Sequence, residues 1–299
     1  MLSENPPWVD RVLHAHWDEL EAKVGKAMMP VHAREGKPVK RKPGFRGPGM
    51  QPEVDLPCGH YGCVLETSTP GVVCKVTSDE SEARFVGHCI DNHIEFPPGI
   101  VGYNAIAILD AKHLNRPVAV LWRQEAFDVG RINVHPSRNP DALEESVTFS
   151  YCMSVTMCAS ALRQTIRTSK RPERLMSITT DPLRMSQARS WVSEQVDTTS
   201  IPDYRAVYEN LRRLPQETRV AVAVSAYEFL STMMEHENRT SKLIGEAFTH
   251  FFEHGVMLAD VHGGNLGVIS ARTDDYPKDY KYWAITDPGH AIFLPVREW

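Results

Sequence analysis

The chain has 299 residues, 42% of them hydrophobic and 24% charged, with a formal charge of −5. That length allows one large domain or two lobes around a sizeable core, and the composition is that of an ordinary globular protein. So mild a charge excludes a global electrostatic pull toward nucleic acid or an anionic membrane. No run of about eighteen apolar residues is present to span a bilayer. Residues 1–9 lack the basic start and apolar core of a secretory signal. The six cysteines (Cys58, Cys63, Cys74, Cys89, Cys152 and Cys158) form no C-x-x-C pair and no zinc-finger spacing. Reduced thiols and a cytoplasmic setting are expected.

Residues 7–28 read as an amphipathic helix, with Trp8, Val9, Val12, Leu13, Trp17, Leu20 and Val24 at helical spacing. Its apolar stripe suits docking on the small lobe and association with a protein partner alike. Residues 36–49 mix Pro and Gly with Lys37, Lys40, Arg41, Lys42 and Arg46, the composition of a linker. Short strands follow. Residues 62–66 and 71–76 are joined by a turn containing Thr69, Pro70 and Gly71. A helix is expected from about Ser78, then strands over 100–109 and 117–125. From Asn139 to Gly255 the pattern is mostly helical, with helices over 140–168, 216–237 and 241–254 and Gly255 as a cap. Scattered prolines blur residues 171–202. Strands over 266–270 and 283–286 end the pattern. This order predicts an α+β fold in two lobes: residues 1–50 as an extension, an antiparallel-sheet small lobe over 51–128 and a helical large lobe over 129–299. A ligand site between lobes is then expected.

Four pieces of sequence carry chemistry. Pro57-Cys-Gly-His-Tyr-Gly-Cys-Val64 places Gly59 and Gly62 where backbone amides can approach phosphate oxygens. Val73-Cys-Lys-Val76 puts Lys75 within an apolar strand, where an ammonium needs a counter-charge or must face outward. Glu80 and Glu82 follow on the expected helix, and Glu82, followed by Ala83 and Phe85, is the better partner. Leu258-Ala-Asp-Val-His-Gly-Gly-Asn-Leu-Gly267 separates Asp260 from Asn265 by five residues. A carboxylate there can take the proton of an attacking hydroxyl, and an amide oxygen can hold magnesium and brace the loop. Ala284-Ile-Thr-Asp-Pro-Gly289 brings Asp287 off a strand end as a hard-cation ligand.

In this order the four pieces resemble the protein-kinase superfamily signature of Gly-rich loop, strand lysine, helix glutamate, catalytic-loop Asp and Asn, and metal-binding Asp. The resemblance runs over about residues 54–294. It implies ATP and Mg2+ as cofactors. Lys75 would hold the α- and β-phosphates and Glu82 would orient it. Asp260 would be the catalytic base, and Asn265 and Asp287 would ligate the metal. The loop Gly59, His60, Tyr61, Gly62 and Val64 would cover the nucleotide. Residues 118–126 look like the last small-lobe strand and hinge, with Glu125 and Ala126 meeting adenine.

The chain also departs from that pattern. Pro57 replaces the first glycine, Leu258-Ala259 stands where a His-Arg pair precedes the catalytic Asp, and His262 stands where Ser/Thr kinases carry Lys. The Asp-Val-His-Gly-Gly-Asn run is similar to aminoglycoside phosphotransferases and atypical bacterial kinases. Asp-Pro-Gly replaces Asp-Phe-Gly, and twelve residues follow Asp287 without Ala-Pro-Glu. No standard activation segment is therefore expected, and acceptor binding falls to the helical region, to residues 271–282 or to the extension. The resemblance points to an atypical Ser/Thr protein kinase. The alternatives are a small-molecule phosphotransferase, or a nucleotide-binding pseudokinase serving as an interaction module.

Overall fold

A computed structural model describes residues 62–66, 72–77, 79–111, 116–124, 126–128, 140–196, 202–270 and 281–295. The expected helix at 7–28 and the basic linker lie outside the described residues, as does the stretch 271–280. The fold is α+β and divides into two compact units. The first is Met1–Ile90 with Tyr103–Glu125; the second is Asp91–Gly102 with Ala126–Trp299.

Strands β1 (Gly62–Glu66), β2 (Val72–Thr77), β3 (Tyr103–Ala111) and β4 (Arg116–Gln124) form the sheet of the first unit. Its order is β1-β2-β4-β3 and every pairing is antiparallel. Interior strand β2 buries Val73 and Cys74 on opposite faces, and Lys75 with them, as a continuous apolar run does in a strand covered on both sides. Helix α1 (Glu80–Asp91) follows within three residues. Asp79 caps it by accepting from the Ser81 N–H at 2.8 Å, and the Asp79 N–H is tied back to Thr77 Oγ1 at 3.0 Å. The helix buries Glu82, Phe85, Val86 and Cys89, the i, i+3, i+4, i+7 stripe of an amphipathic helix.

The second unit is mainly helical: α2 (Pro140–Thr168), α3 (Pro172–Met176), a 3-10 turn (Ser177–Thr180), α4 (Pro182–Gln195), α5 (Tyr204–Arg213), α6 (Gln216–Glu235) and α7 (Arg239–Glu253). The blurred stretch thus holds two α-helices. Pro172 and Pro182 occupy their first turns, where the missing N–H costs nothing. Asp181, Asp203 and Asn238 cap α4, α5 and α7 through their side chains. Every residue from Val220 to Tyr227 is buried, so α6 is the central helix, and α2, α4 and α7 pack on it. Its Tyr227 ring meets Phe248 edge-on and Phe252 in a stack, with centroids 5.8 and 5.6 Å away. Gly255, at φ 74, ends α7 with its N–H on the Phe252 carbonyl.

Strands β5 (Phe127–Asp128), β7 (Leu266–Ser270) and β8 (Lys281–Ile285) make an antiparallel sheet in the order β5-β7-β8, and β6 (Val256–Met257) pairs with β9 (Ile292–Phe293). Cys74, Cys89, Cys152 and Cys158 are buried free thiols. Burial raises Cys89 to about 12 and Cys152 and Cys158 with it, which makes them unreactive. Among the described residues no helix is long and apolar enough to cross a membrane.

The segment Asp91–Gly102 groups with the helical unit, not with the sheet that flanks it in sequence. Ile100 forms a parallel bridge to Ile285; the Ile285 N–H donates to Gly99 O and Val101 N–H to Ile285 O, each at 2.9 Å. A Cβ at Gly99 would stand 1.8 Å from the Leu243 carbonyl oxygen, on helix α7 backbone. Gly99→Ala is therefore expected to lower stability by at least ~1–3 kcal/mol in urea unfolding. A Cβ at Gly87 meets nothing within 4 Å, so Gly87→Ala within α1 should raise stability by ~0.5–1 kcal/mol.

Candidate functional site

Lys75 lies on β2, in register with Val64 on one side and Leu121 on the other. It is 8% exposed and Glu82 is fully buried. Lys75 Nζ donates to Glu82 Oε1 at 2.8 Å, and Tyr103 Oη donates to the same oxygen at 3.1 Å. Lys75 is thus not an outward-facing strand residue, and Glu82 is the helix carboxylate that reaches it. Tyr103, at the start of β3, is a member of this cluster that sequence reasoning missed. A buried Tyr with a polar tip is the only signal it offered.

Three residues expected at the site sit in the second unit, around the loop that follows β6. The entry is pinned by Tyr227 Oη, which accepts the Leu258 N–H at 2.9 Å. Thr156 on α2 grips Val261 twice: its hydroxyl donates to Val261 O at 3.0 Å and accepts the Val261 N–H at 3.2 Å. Asn265 closes the turn. Its Nδ2 donates to the Asp260 carbonyl at 2.6 Å, and its N–H donates to His262 O at 2.8 Å. His262 Nδ1 accepts the Gly264 N–H at 3.0 Å, which assigns the ring proton to Nε2, 3.9 Å from Asp260 Oδ1. Strands β7 and β8 pair Leu266 with Ile285, and the Thr286 N–H donates to Asn265 O at 2.8 Å. Asp287 therefore leaves β8 at the end of the hairpin where Asn265 enters β7.

Burial pushes the Asp260 carboxyl above its ordinary range. Protonated His262 or His290 would pull against that, the Asp287 carboxylate adds to it, and Arg163 on α2 opposes it. Asp260, Asp287, His262, His290 and Arg163 thus share one electrostatic neighbourhood. His290 turns the chain at φ 59, just past Pro288-Gly289. Neither Arg163 nor His290 belongs to a motif, so nothing in the sequence marked them.

Gly62 opens β1 opposite Thr77, and Val64 is half-buried opposite Lys75. Ala126, half-buried, belongs to the second unit and precedes β5. Gly59, His60, Tyr61 and Glu125 lie outside the described residues. The structure joins Lys75 to Glu82 in the first unit, and it gathers Asp260, Asn265 and Asp287 in the second.

Among the described residues, no group of three or more His, Cys, Asp or Glu side chains is placed to hold a metal ion. The donors at hand suit magnesium in another way. With Nδ2 committed to the loop, Asn265 has an amide oxygen to offer as a donor, and Asp287 supplies a carboxylate. One or two such oxygens suffice for an ion that takes its remaining ligands from phosphates and water. Comparison with known protein families, characterised proteins and solved structures finds no match.

Two outcomes are expected from this geometry. Lys75→Ala strands a buried carboxylate and should cost ~3–5 kcal/mol in urea unfolding. Lys75→Met combined with Glu82→Gln should regain most of that; equal loss in the single and double variants would sink the ion-pair account. The second concerns Asp260. A carboxyl raised in the folded state contributes stability below its unfolded pKa and loses it as pH rises through the folded one. Asp260→Asn should melt above wild type at neutral pH in metal-free buffer, with the gap closing in acid.

Proposed function

We propose that the chain is an ATP- and Mg2+-dependent phosphotransferase of bilobal, protein-kinase-like design that phosphorylates protein serine or threonine hydroxyls. The observation that carries the proposal is the braced loop from Asp260 to Asn265. A side-chain amide fastened to the carbonyl five residues earlier lets one loop present both a proton acceptor and a metal-facing oxygen. The neighbouring charge of Asp287 and the buried Lys75–Glu82 pair add support.

In this reading Lys75 holds the α- and β-phosphates, and Glu82 with Tyr103 keeps its ammonium in place. Asp260 orients the acceptor hydroxyl and takes its proton as the oxygen attacks the γ-phosphorus. The bond from the γ-phosphorus to the bridging oxygen breaks, and ADP leaves with that electron pair. When bound, magnesium supplies neutralising charge to the phosphate oxygens; Asn265 and Asp287 would hold it. The carboxyl's raised proton affinity suits an acceptor working nearer neutral pH. A small-molecule acceptor is the second reading, favoured by the Asp-Val-His-Gly-Gly-Asn loop.

Transfer from γ-labelled ATP to a peptide panel and to aminoglycosides tests both. Asp260→Asn should lower transfer by ~10²–10⁴ while the rise in melting temperature with ATP and Mg2+ stays. Asp287→Asn should remove the magnesium dependence of that rise. A wild-type protein that ATP and Mg2+ fail to stabilise would end the proposal, and stabilisation without any transfer would make the chain a pseudokinase.

A further inference from the structure

Among the described residues, the buried Asp, Glu, Lys and Arg side chains are Lys75, Glu82 and Arg123. All belong to the first unit. Lys75 and Glu82 neutralise each other, which leaves one positive charge in excess. Arg123 is 7% exposed. Among the described residues its one hydrogen bond runs from Nη1 to the adjacent Gln124 carbonyl at 3.4 Å, beyond the usual N–H···O range. Its Nε is buried with no acceptor, and no carboxylate pairs with it among the described residues. A guanidinium carries five donors, and burying it unanswered is expensive.

The sheet register says where this cation lies. Arg123 on β4 pairs with Val73 on β2 and with Tyr103 on β3. Directly paired residues of antiparallel strands point to one face, and Lys75 is two residues from Val73, hence on that face as well. Lys75 and Arg123 are diagonal neighbours across β2 and β4, with Cβ atoms about 7–8 Å apart by the usual spacing. Tyr103, whose hydroxyl meets Glu82, shares the face. Two cations, one already positioned by Glu82 and one with donors unspent, are aimed at one side of the sheet.

We infer that Lys75 and Arg123 form an anion site in the first unit that takes the polyphosphate chain of a nucleotide, and that this site binds phosphate without a divalent metal. The inference deepens the phosphotransferase reading and rests on it only for the nucleotide as the source of the phosphates. Arg123 would then be a specificity-determining residue: a fixed guanidinium matches phosphate oxygens two at a time, which a lone lysine does not.

Thermal melts of the full chain in EDTA, titrated with ATP, inorganic tripolyphosphate or adenosine, test it. ATP and tripolyphosphate should raise the melting temperature, and adenosine should not. Tripolyphosphate acting without ATP would mean a free polyphosphate is the ligand. Arg123→Met, which removes a buried unanswered charge at similar volume, should melt at or above wild type without ligand and bind tripolyphosphate at least ~10-fold more weakly. Arg123→Lys should keep part of the affinity. A ligand-free Arg123→Met that melts well below wild type, or one that binds as tightly, overturns the site. Stabilisation by ATP with Mg2+ that is equal in both proteins, with no metal-free binding, removes the site and keeps the phosphotransferase. Arg123-dependent tripolyphosphate binding in a chain that transfers no phosphate keeps the site and removes the phosphotransferase.

Discussion

An ammonium buried within a β-sheet has to be met by a carboxylate, and the first unit is arranged around that requirement. Lys75 occupies interior strand β2, so no water reaches it from an edge. Its counter-charge must come from the layer packed on the sheet. Helix α1 delivers it because the turn out of β2 is short and doubly fixed, by Thr77 on Asp79 and by Asp79 on Ser81. That fixes Glu82 three residues past the cap, on the buried stripe. Helix placement, strand register and the lysine's charge thus depend on one contact. A buried pair of this kind adds little net stability over an apolar substitute.

The second unit holds its loop by a different device. Helices packed around α6 supply stability through apolar surface, and a few hydroxyls convert that rigidity into loop geometry. Tyr227 is locked between Phe248 and Phe252, so its Oη is a fixed acceptor for Leu258. Thr156, buried on α2, plays the same part for Val261. Each spares a loop amide from being buried unpaired, which costs about as much as a hydrogen bond. The carboxylate of Asp260 is then held where burial disfavours its charge. A group kept against its preference is what a proton acceptor near neutral pH requires.

Much of this was legible in the residues alone, for physical reasons. The runs Gly62–Glu66 and Leu266–Ser270 are short, apolar and flanked by turn residues, and both are strands over the expected residues. The helix expected over 140–168 has those bounds and the one expected from 216 starts there, whereas the other helix ends shift by one or two residues, because fraying ends are set by caps such as Asn238 and not by periodicity. Residues 171–202 are hard to read because their periodicity is weak and their prolines are scattered. Pro172 and Pro182 sit at positions where proline starts a helix. At the site, residues of motifs were legible and their supports were not. Thr156 meets Val261 across 105 residues and Tyr227 meets Leu258 across 31, and no local pattern encodes such pairings. Nothing in the sequence marks Gly99, whose missing side chain makes room for a helix backbone.

The course of the chain has a further consequence. It leaves the first unit after Ile90, contributes Asp91–Gly102 to the second, returns at Tyr103 and departs again after Glu125. The helical unit is therefore discontinuous. The strand that leads to Asp287 takes one partner, Leu266, from its own neighbourhood and the other, Gly99 through Val101, from a detour made some 185 residues earlier. During synthesis the helical unit must wait for its C-terminal strand before that detour finds its place, so closing the β8 edge is a late, long-range event. Severing the chain near residue 125 would yield two halves, and the C-terminal one would lack the stretch that lines its own hairpin.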